Sequence, residues 1–485
     1  MKVLVIYDDT GRKSEVITDI IGEKGFADVV VKKRKLEEYY SSEIKKLYPE
    51  LIWKKVHSTF EYVEFVKKLE MNAVEDIKVL HCFSNYFISD STKAMLSFKK
   101  LEYIDTSYVA LCGKKAALAM FPSLDEYIAF GKSIISGLKA WDLARDIQDS
   151  FQIEGLVDIG VISNFIQCIT GNFDSRYFNS LAGNEYTLVK SSLNKKKIKA
   201  EYMYYHLLPE DMQFWFVMPF NYQETETMAS YTMERLHMTD LAIKWVHGSM
   251  DENEFEELLD RYFYFFKSRH PKKCSREEYK KIADGLYVDK VNERIKDLKH
   301  LTEYDTYIKP LLSCAKDCTI DSLVEKYFEL KDKIEKQVEY KPEVVIGHGD
   351  PCFANTLYNK STKTLKFIDP KGAITEDELW TNPYYDIAKL SHSICGRYDF
   401  FNNALFDIKI DASFDYNLEI PFDNSRYIEL FKNKVEEHGY NYFSVRIYEA
   451  SLFLSMLPLH IDNPHKVLGF ILNVRNILKE IEKNV

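Results

Sequence analysis

Residues 346–359 read IGHGDPCFANTLYN and residues 367–372 read FIDPKG, so Asp350, Asn355 and Asp369 follow one another in close succession. Three oxygen-bearing side chains at points where apolar runs meet loops suit the handling of a phosphoryl donor. A nucleoside triphosphate enters as its Mg2+ complex, and Mg2+ takes hard oxygen ligands from one or two carboxylates, an amide and the phosphates themselves. Asn355 and Asp369 can supply the protein's share. Asp350, five residues before Asn355, is then free to accept the proton of a hydroxyl attacking in line with the terminal phosphate.

Such chemistry also needs a strand lysine on the donor's phosphates, held by a helix glutamate. EYTLVKSS offers Lys190 on a predicted strand, and KIKAEYMYY offers Glu201 on a predicted helix. Between strands, NSLAGNEY holds one glycine, Gly183, and YTMERL (231–236) holds Glu234 and Leu236. Each has a plainer reading: a strand lysine at the surface, a helix glutamate facing water. Their order, upstream of the HGD motif, favours the functional one. Lys371 of DPKG either neutralises phosphate charge or faces solvent. Cys352 reads as a small space-filler, since phosphorylating a hydroxyl needs no thiolate.

HGDPCFAN and FIDPKG, followed by NPYYDIAKL (382–390), together resemble the catalytic loop and metal-binding segment of the aminoglycoside phosphotransferase and choline kinase family. That resemblance implies a protein-kinase-like fold with ATP as donor and Mg2+ as the metal. It makes Asp350 the catalytic base, Asn355 and Asp369 the metal ligands, and His348 and Asp386 structural supports. It also implies an abbreviated phosphate loop at Gly183 and the connector against the adenine at Glu234 and Leu236.

The elements that must position these residues show in the pattern of the chain. At 485 residues it predicts two or three domains. Residues 1–170 alternate strands (KVLVIY, ADVVVK, IKVLHCF, SYVALCG) with helical stretches such as FEYVEFVKKLE, which predicts an α/β domain with a mostly parallel sheet. Residues 171–240 read as a small mixed lobe: a strand at YTLVKSS, a helix to Pro209, then a strand pair. Residues 241–485 turn strongly helical, with a single strand pair expected, around the HGD motif. The whole is an α/β domain followed by a bilobal α+β domain with a largely helical second lobe.

Composition narrows the partners. A formal charge of −10 opposes a nucleic-acid or anionic-membrane binder, which needs a basic surface. No run reaches the roughly 18 uncharged apolar residues of a membrane span, and the apolar run in MKVLVIYDDTG is too short for a signal-peptide core. Together these point to a cytoplasmic protein. The eight cysteines show no zinc-ligand spacing and are expected to be reduced thiols.

VDIGVISNFIQCITGNFDSRYFNSL, through Asp158, Gly160, Asn164, Arg176, Phe178 and Asn179, resembles the junction in bacterial capsule-biosynthesis proteins that fuse a sugar-nucleotidyltransferase-like domain to a kinase-like one. The first domain departs from that pattern. IYDDTGRK stands where a glycine-rich, cationic loop is expected, and its two acids would repel phosphates; VLHCFSNYF lacks the strand-end metal aspartate. A degenerate domain that binds a nucleotide or sugar weakly, or acts as a scaffold, is expected, with Asp158 structural.

The expected function is therefore an ATP- and Mg2+-dependent phosphotransferase acting on a hydroxyl of a small polar acceptor: a sugar, polyol or amino alcohol destined for surface polysaccharide, with glycan-biosynthesis enzymes as partners. A nucleotide-binding pseudoenzyme and a bifunctional kinase–nucleotidyltransferase remain the alternatives.

Overall fold

The computed structural model describes residues 2–71, 77–135, 138–169, 179–184, 186–236, 238–313, 318–412 and 415–485. The chain divides into two compact units, Met1–Ser175 and Arg176–Val485. Arg176 and Phe178 of the junction motif lie outside the described residues.

The first unit is built on a six-stranded sheet whose strands run, edge to edge, Leu51–Val56, Lys2–Asp8, Ile77–Phe83, Lys115–Phe121, Tyr108–Cys112 and Asp149–Gln152. Lys2–Asp8 pairs in parallel with both its neighbours, whereas Lys115–Phe121 is antiparallel to both of its own. Asp149–Gln152 is parallel to Tyr108–Cys112, so the sheet is mostly parallel, as expected, with Lys115–Phe121 its one antiparallel member. Cys112 pairs with Lys115 across Gly113 and Lys114, and a turn that short can join only antiparallel strands. Gly113, at φ 65°, supplies the left-handed backbone the turn requires.

ADVVVK, expected as the second strand of the sheet, is not one of its members. Only Val30–Val31 of it forms a strand, pairing with Arg34–Lys35 through Lys32 and Lys33, both at positive φ. The edge position belongs to Leu51–Val56, which carries Lys54 and Lys55 and so lacks the apolar run of a buried strand. The helices Thr59–Met71 and Leu124–Ile135 pack together, with Tyr62 donating to the Tyr127 hydroxyl at 2.9 Å.

The second unit opens with an antiparallel sheet in the order Asn179–Gly183, Thr187–Ser192, Ala229–Glu234, Pro219–Glu224. The helix Lys195–Leu207, capped by Asn194, follows the second of these strands. Helices dominate the rest, and the apolar helix Tyr442–Met456 runs through the middle of one continuous core. The hairpin Thr356–Asn359/Thr364–Phe367 interrupts them, as does a second hairpin, Asp407–Ile410/Tyr416–Glu419, where a single strand pair was expected. Phe367 joins sheet and helices: its N–H donates to the Trp215 carbonyl at 2.7 Å, and its carbonyl accepts from Val217 at 3.2 Å.

Candidate active site

The strand Glu343–Ile346 delivers the chain into the HGD loop, and the helix Pro383–Ile394 holds that loop from behind. Asp386 accepts the backbone N–H of His348 at 3.0 Å and of Gly349 at 2.8 Å. Arg269 donates to the same carboxylate at 3.1 Å, and neither side chain is exposed at all. Gly349 sits at φ 85°, where an added Cβ would fall 2.6 Å from the Lys371 side chain. The Lys371 stem therefore lies over the loop, and its N–H donates to the His348 carbonyl at 2.8 Å.

His348 bridges the two motifs. Its Nδ1 accepts from the Asp350 N–H at 3.0 Å, so Nε2 carries the proton and donates to the Ile368 carbonyl at 3.0 Å. Burial lowers the basicity of this imidazole, which keeps it in the neutral form that the two bonds require. A side chain read as a support from resemblance thus acts in a definite way, fixing Asp350 and Ile368, and with Ile368 the start of the Asp369 segment.

Asp350 faces outward with its side chain 40% exposed, and Lys389 lies 3.0 Å from its Oδ1. Burial acts to raise this carboxyl, but the Lys389 ammonium, with a smaller contribution from Lys290, outweighs it and holds Asp350 below the ordinary carboxylate range. Asn355 donates through Nδ2 to the Asp350 carbonyl at 3.0 Å and to Oδ2 at 3.1 Å. Its own carbonyl accepts the Ile368 N–H at 3.0 Å, which brings the Asn355 turn beside the strand end carrying Asp369.

Lys190 and Glu201, 11 positions apart on strand and helix, meet at 2.7 Å in the buried interior, and Lys190 also reaches Asp369 Oδ1 at 2.8 Å. Burial acts to lower the Lys190 ammonium; Asp369 and Glu201 outweigh it, so the group stays charged. Tyr231 donates to the same Glu201 oxygen at 3.2 Å. The Asp369 segment docks on this helix: Ala373 donates to the Ala200 carbonyl at 3.0 Å, and Gly372, at φ 83°, leaves room that a Cβ would take from Ala200. Asp369 itself adopts φ 56°, a left-handed backbone that aspartate tolerates better than most residues.

The remaining expected residues lie near the sheet. Gly183 ends its strand where an added Cβ would fall 2.4 Å from the Thr187 carbonyl, so the glycine serves hairpin closure. Glu234 ends the strand Ala229–Glu234 and is exposed; Leu236 is half-buried on the connector to the helices. Arg235, between them, ties that connector to the hairpin by donating to the Asn184 carbonyl at 2.8 Å.

Mg2+ fits the donor set. With Nδ2 of Asn355 spent on Asp350, and Oδ1 of Asp369 on Lys190, the Asn355 amide oxygen and the second Asp369 oxygen accept no hydrogen bond among the described residues. One carboxylate, one amide oxygen and the donor's phosphates make a Mg2+ site of ordinary composition. The sequence reading missed Arg269, Tyr231 and Lys389. Only Lys389 left a signal: it stands three residues after Asp386, and residues i and i+3 share a helix face.

No family model matches the chain, and no curated protein matches it. Among solved structures, a thermostable mutant of the aminoglycoside phosphotransferase APH(4)-Ia in its apo form is 13% identical, covers 62% of this chain and 95% of its own, and gives a TM-score of 0.36. A ternary complex of that enzyme with AMP-PNP and hygromycin B is 11% identical, with 63% and 91% covered and a TM-score of 0.36. The streptomycin–ATP–APH(2")-IIa ternary complex is 14% identical, with 63% and 89% covered and a TM-score of 0.33. At TM-scores this low the likeness carries no weight for the chemistry, which rests on the residues of this chain.

Proposed function

We propose that the second unit is an ATP- and Mg2+-dependent phosphotransferase acting on a hydroxyl of a small polar acceptor. The observation that supports it best is Lys190, buried and bonded at 2.7 Å to Glu201 and 2.8 Å to Asp369, with Asp369 joined through Ile368 to the loop of Asp350 and Asn355. Residues far apart in sequence thus meet in one cluster, as this reading requires.

In this reading Lys190 orients the donor's phosphates, and Asn355 with Asp369 would hold Mg2+, which when bound offsets charge on the phosphates. Asp350 takes the acceptor's proton as the hydroxyl oxygen forms its bond to the terminal phosphorus and the bond to the bridging oxygen of ADP breaks. Catalysis is positioning and charge neutralisation, with no covalent enzyme intermediate. The acceptor is taken to be a sugar, polyol or amino alcohol. Surface polysaccharide as its destination, glycan-biosynthesis enzymes as partners, and a degenerate nucleotidyltransferase-like first unit are supported by the motif resemblance alone.

The test is an acceptor screen by ATP consumption over sugars, polyols and amino alcohols. The reading expects one class to stimulate Mg2+-dependent ATP consumption well above the acceptor-free rate. Binding of Mg2+–ATP without turnover on any acceptor would replace it with a nucleotide-binding module.

A further inference from the structure

The strands Lys2–Asp8 and Leu51–Val56 run in parallel with Asp8 opposite Val56, and the Asp9 N–H donates to the Val56 carbonyl at 2.8 Å. This pairing sets Asp9 and His57, the residues that follow the two strands, side by side. Both acids of IYDDTG turn inward. Asp8 uses both its oxygens: Oδ2 faces His81 at 3.0 Å, and Oδ1 accepts from the Thr10 N–H at 2.9 Å and hydroxyl at 2.6 Å. Asp9 uses one. Its Oδ1 accepts from the Ala27 N–H at 3.1 Å and the Ser84 hydroxyl at 2.6 Å, while Oδ2 has no hydrogen-bond partner among the described residues, although the side chain is only 1% exposed. Gly25 leaves the room this oxygen occupies, since an added Cβ would fall 1.8 Å from it. A buried carboxylate oxygen without a partner is costly. Burial accordingly raises the Asp9 carboxyl above its ordinary range, and Ser84, Ala27 and His57 offset this only in part.

Two metal-ligating side chains face that oxygen. His57 Nδ1 stands 3.4 Å from Asp9 Oδ2, without the geometry of a hydrogen bond. Asp28, the last residue of the short helix Phe26–Asp28, brings a third ligand atom, and the three lie within 4.8 Å of one another. Two ligands on a tetrahedral Zn2+ with bonds of about 2.0–2.1 Å sit roughly 3.3 Å apart, close to the separation of Asp9 and His57. Asp28, at the surface, has a side-chain rotation with which to close the remaining gap. The ligands also have the outer contacts that orient a metal site. Ala27 and Ser84 hold the far oxygen of Asp9, and Lys35 holds Asp28 Oδ1 at 3.1 Å, leaving Asp28 Oδ2 with no hydrogen bond among the described residues. The His57 N–H is pinned on Glu61 Oε2 at 3.0 Å. Lys55, 3.6 Å from Asp28, is itself held by Glu37 at 2.5 Å.

We propose that Asp9 Oδ2, Asp28 and His57 Nδ1 form a Zn2+ site. One imidazole and two carboxylates suit Zn2+, whereas Mg2+ and Ca2+ prefer all-oxygen sets of higher coordination number. Three protein ligands leave the fourth position to water. The bound ion would supply the charge that Asp9 lacks and clamp the edge strand Leu51–Val56 and the helix Phe26–Asp28 to the end of Lys2–Asp8. The site belongs to the first unit and is independent of the phosphotransfer reading, which concerns the other.

The experiment is a titration of the full chain with Zn2+ against a competing colorimetric chelator, in millimolar Mg2+, with melting curves recorded alongside. The parent is expected to take up Zn2+ at micromolar concentration or below and to melt at higher temperature as Zn2+ is added. His57→Gln and Asp28→Asn should each weaken that uptake roughly tenfold or more and lose the Zn2+-dependent rise in melting temperature. The two side chains are 43% and 23% exposed, so both variants should keep the parent's melting temperature without Zn2+. Neither variant alters a thiol, so uptake by the cysteines is separated by the same comparison. Absence of uptake at micromolar Zn2+ overturns the proposal, as does uptake unchanged in both variants. Displacement of the Zn2+ by the millimolar Mg2+ overturns the assignment of the metal.

Discussion

Lys389 Nζ lies 3.0 Å from Asp350 Oδ1, the lysine 14% and the aspartate 40% exposed. One helix thus supplies both Asp386, which holds the backbone of the HGD loop, and the cation that holds its aspartate. In the proposed phosphotransfer, a carboxylate kept below its ordinary range would be a weak base, which suits a loose phosphoryl-transfer transition state where the hydroxyl proton leaves late.

Lys389→Met is expected to lower kcat by about ten- to a hundredfold, less than the roughly hundred- to ten-thousandfold of an acid–base group itself, because Lys389 acts through Asp350. The pH profile carries the sign. Asp350 acts as the carboxylate, and removing Lys389 removes the main cause that lowers it, so the acid limb of kcat/KM should move to higher pH, while Lys389→Arg largely restores it. An acid limb left in place would show that Lys389 does not act through Asp350.

Arg269 and Asp386 form an ion pair with no exposure on either side. Arg269→Met leaves a buried carboxylate with its two backbone donors but no cation, and should cost about 3–5 kcal/mol in urea unfolding of the second unit. A loss below about 1 kcal/mol, the worth of an exposed pair, would mean that water compensates Asp386.

Glu201→Gln keeps the volume and the contact with Tyr231 but removes one of the two charges on Lys190. Lys190 then leans on Asp369 alone, and the affinity for ATP, read from equilibrium binding, should fall by roughly tenfold, about 1.4 kcal/mol. Unchanged affinity and unchanged kcat would remove Glu201 from the site.

Much of the site was legible because its chemistry is local. Asp350 and Asn355 share one loop, and their distance from Asp369 is set by a hairpin whose strands were visible as apolar runs. Lys190 and Glu201 were recoverable from a strand followed by a helix that stops before Pro209. What escaped depended on tertiary contact: Arg269 reaches Asp386 across 117 positions and Tyr231 reaches Glu201 across 30, with no local pattern to announce either. In the first unit the alternation of strands and helices was readable, but the antiparallel member hung on the two-residue Gly113–Lys114 turn, and the edge strand was hidden by its lysines. The inward turn of Asp8 and Asp9 could not be seen without His81 and Ser84, more than seventy residues away in sequence.

Stability should also record a buried acid. Burial pushes the Asp399 carboxyl up to about 7; the Ser393 hydroxyl pulls it back in part, and Asp240 adds to the rise. Its folded value exceeds its unfolded one, so its contribution is full below about pH 4 and is lost as pH rises through about 7, on the order of 4 kcal/mol in all. Melting curves should show Asp399→Asn losing less stability than the parent between pH 5 and pH 8. Identical pH slopes would place the titration elsewhere.

Phosphorus NMR of the reaction with the acceptor found by ATP consumption, comparing the parent chain with Asp350→Asn, tests the central claim most directly. The parent is expected to convert ATP and acceptor to ADP and a phosphomonoester in the presence of Mg2+, while Asp350→Asn still binds Mg2+–ATP and forms no phosphomonoester. Product formation by Asp350→Asn at the parent's rate would contradict the assignment of the base, and with it the proposed phosphotransfer site.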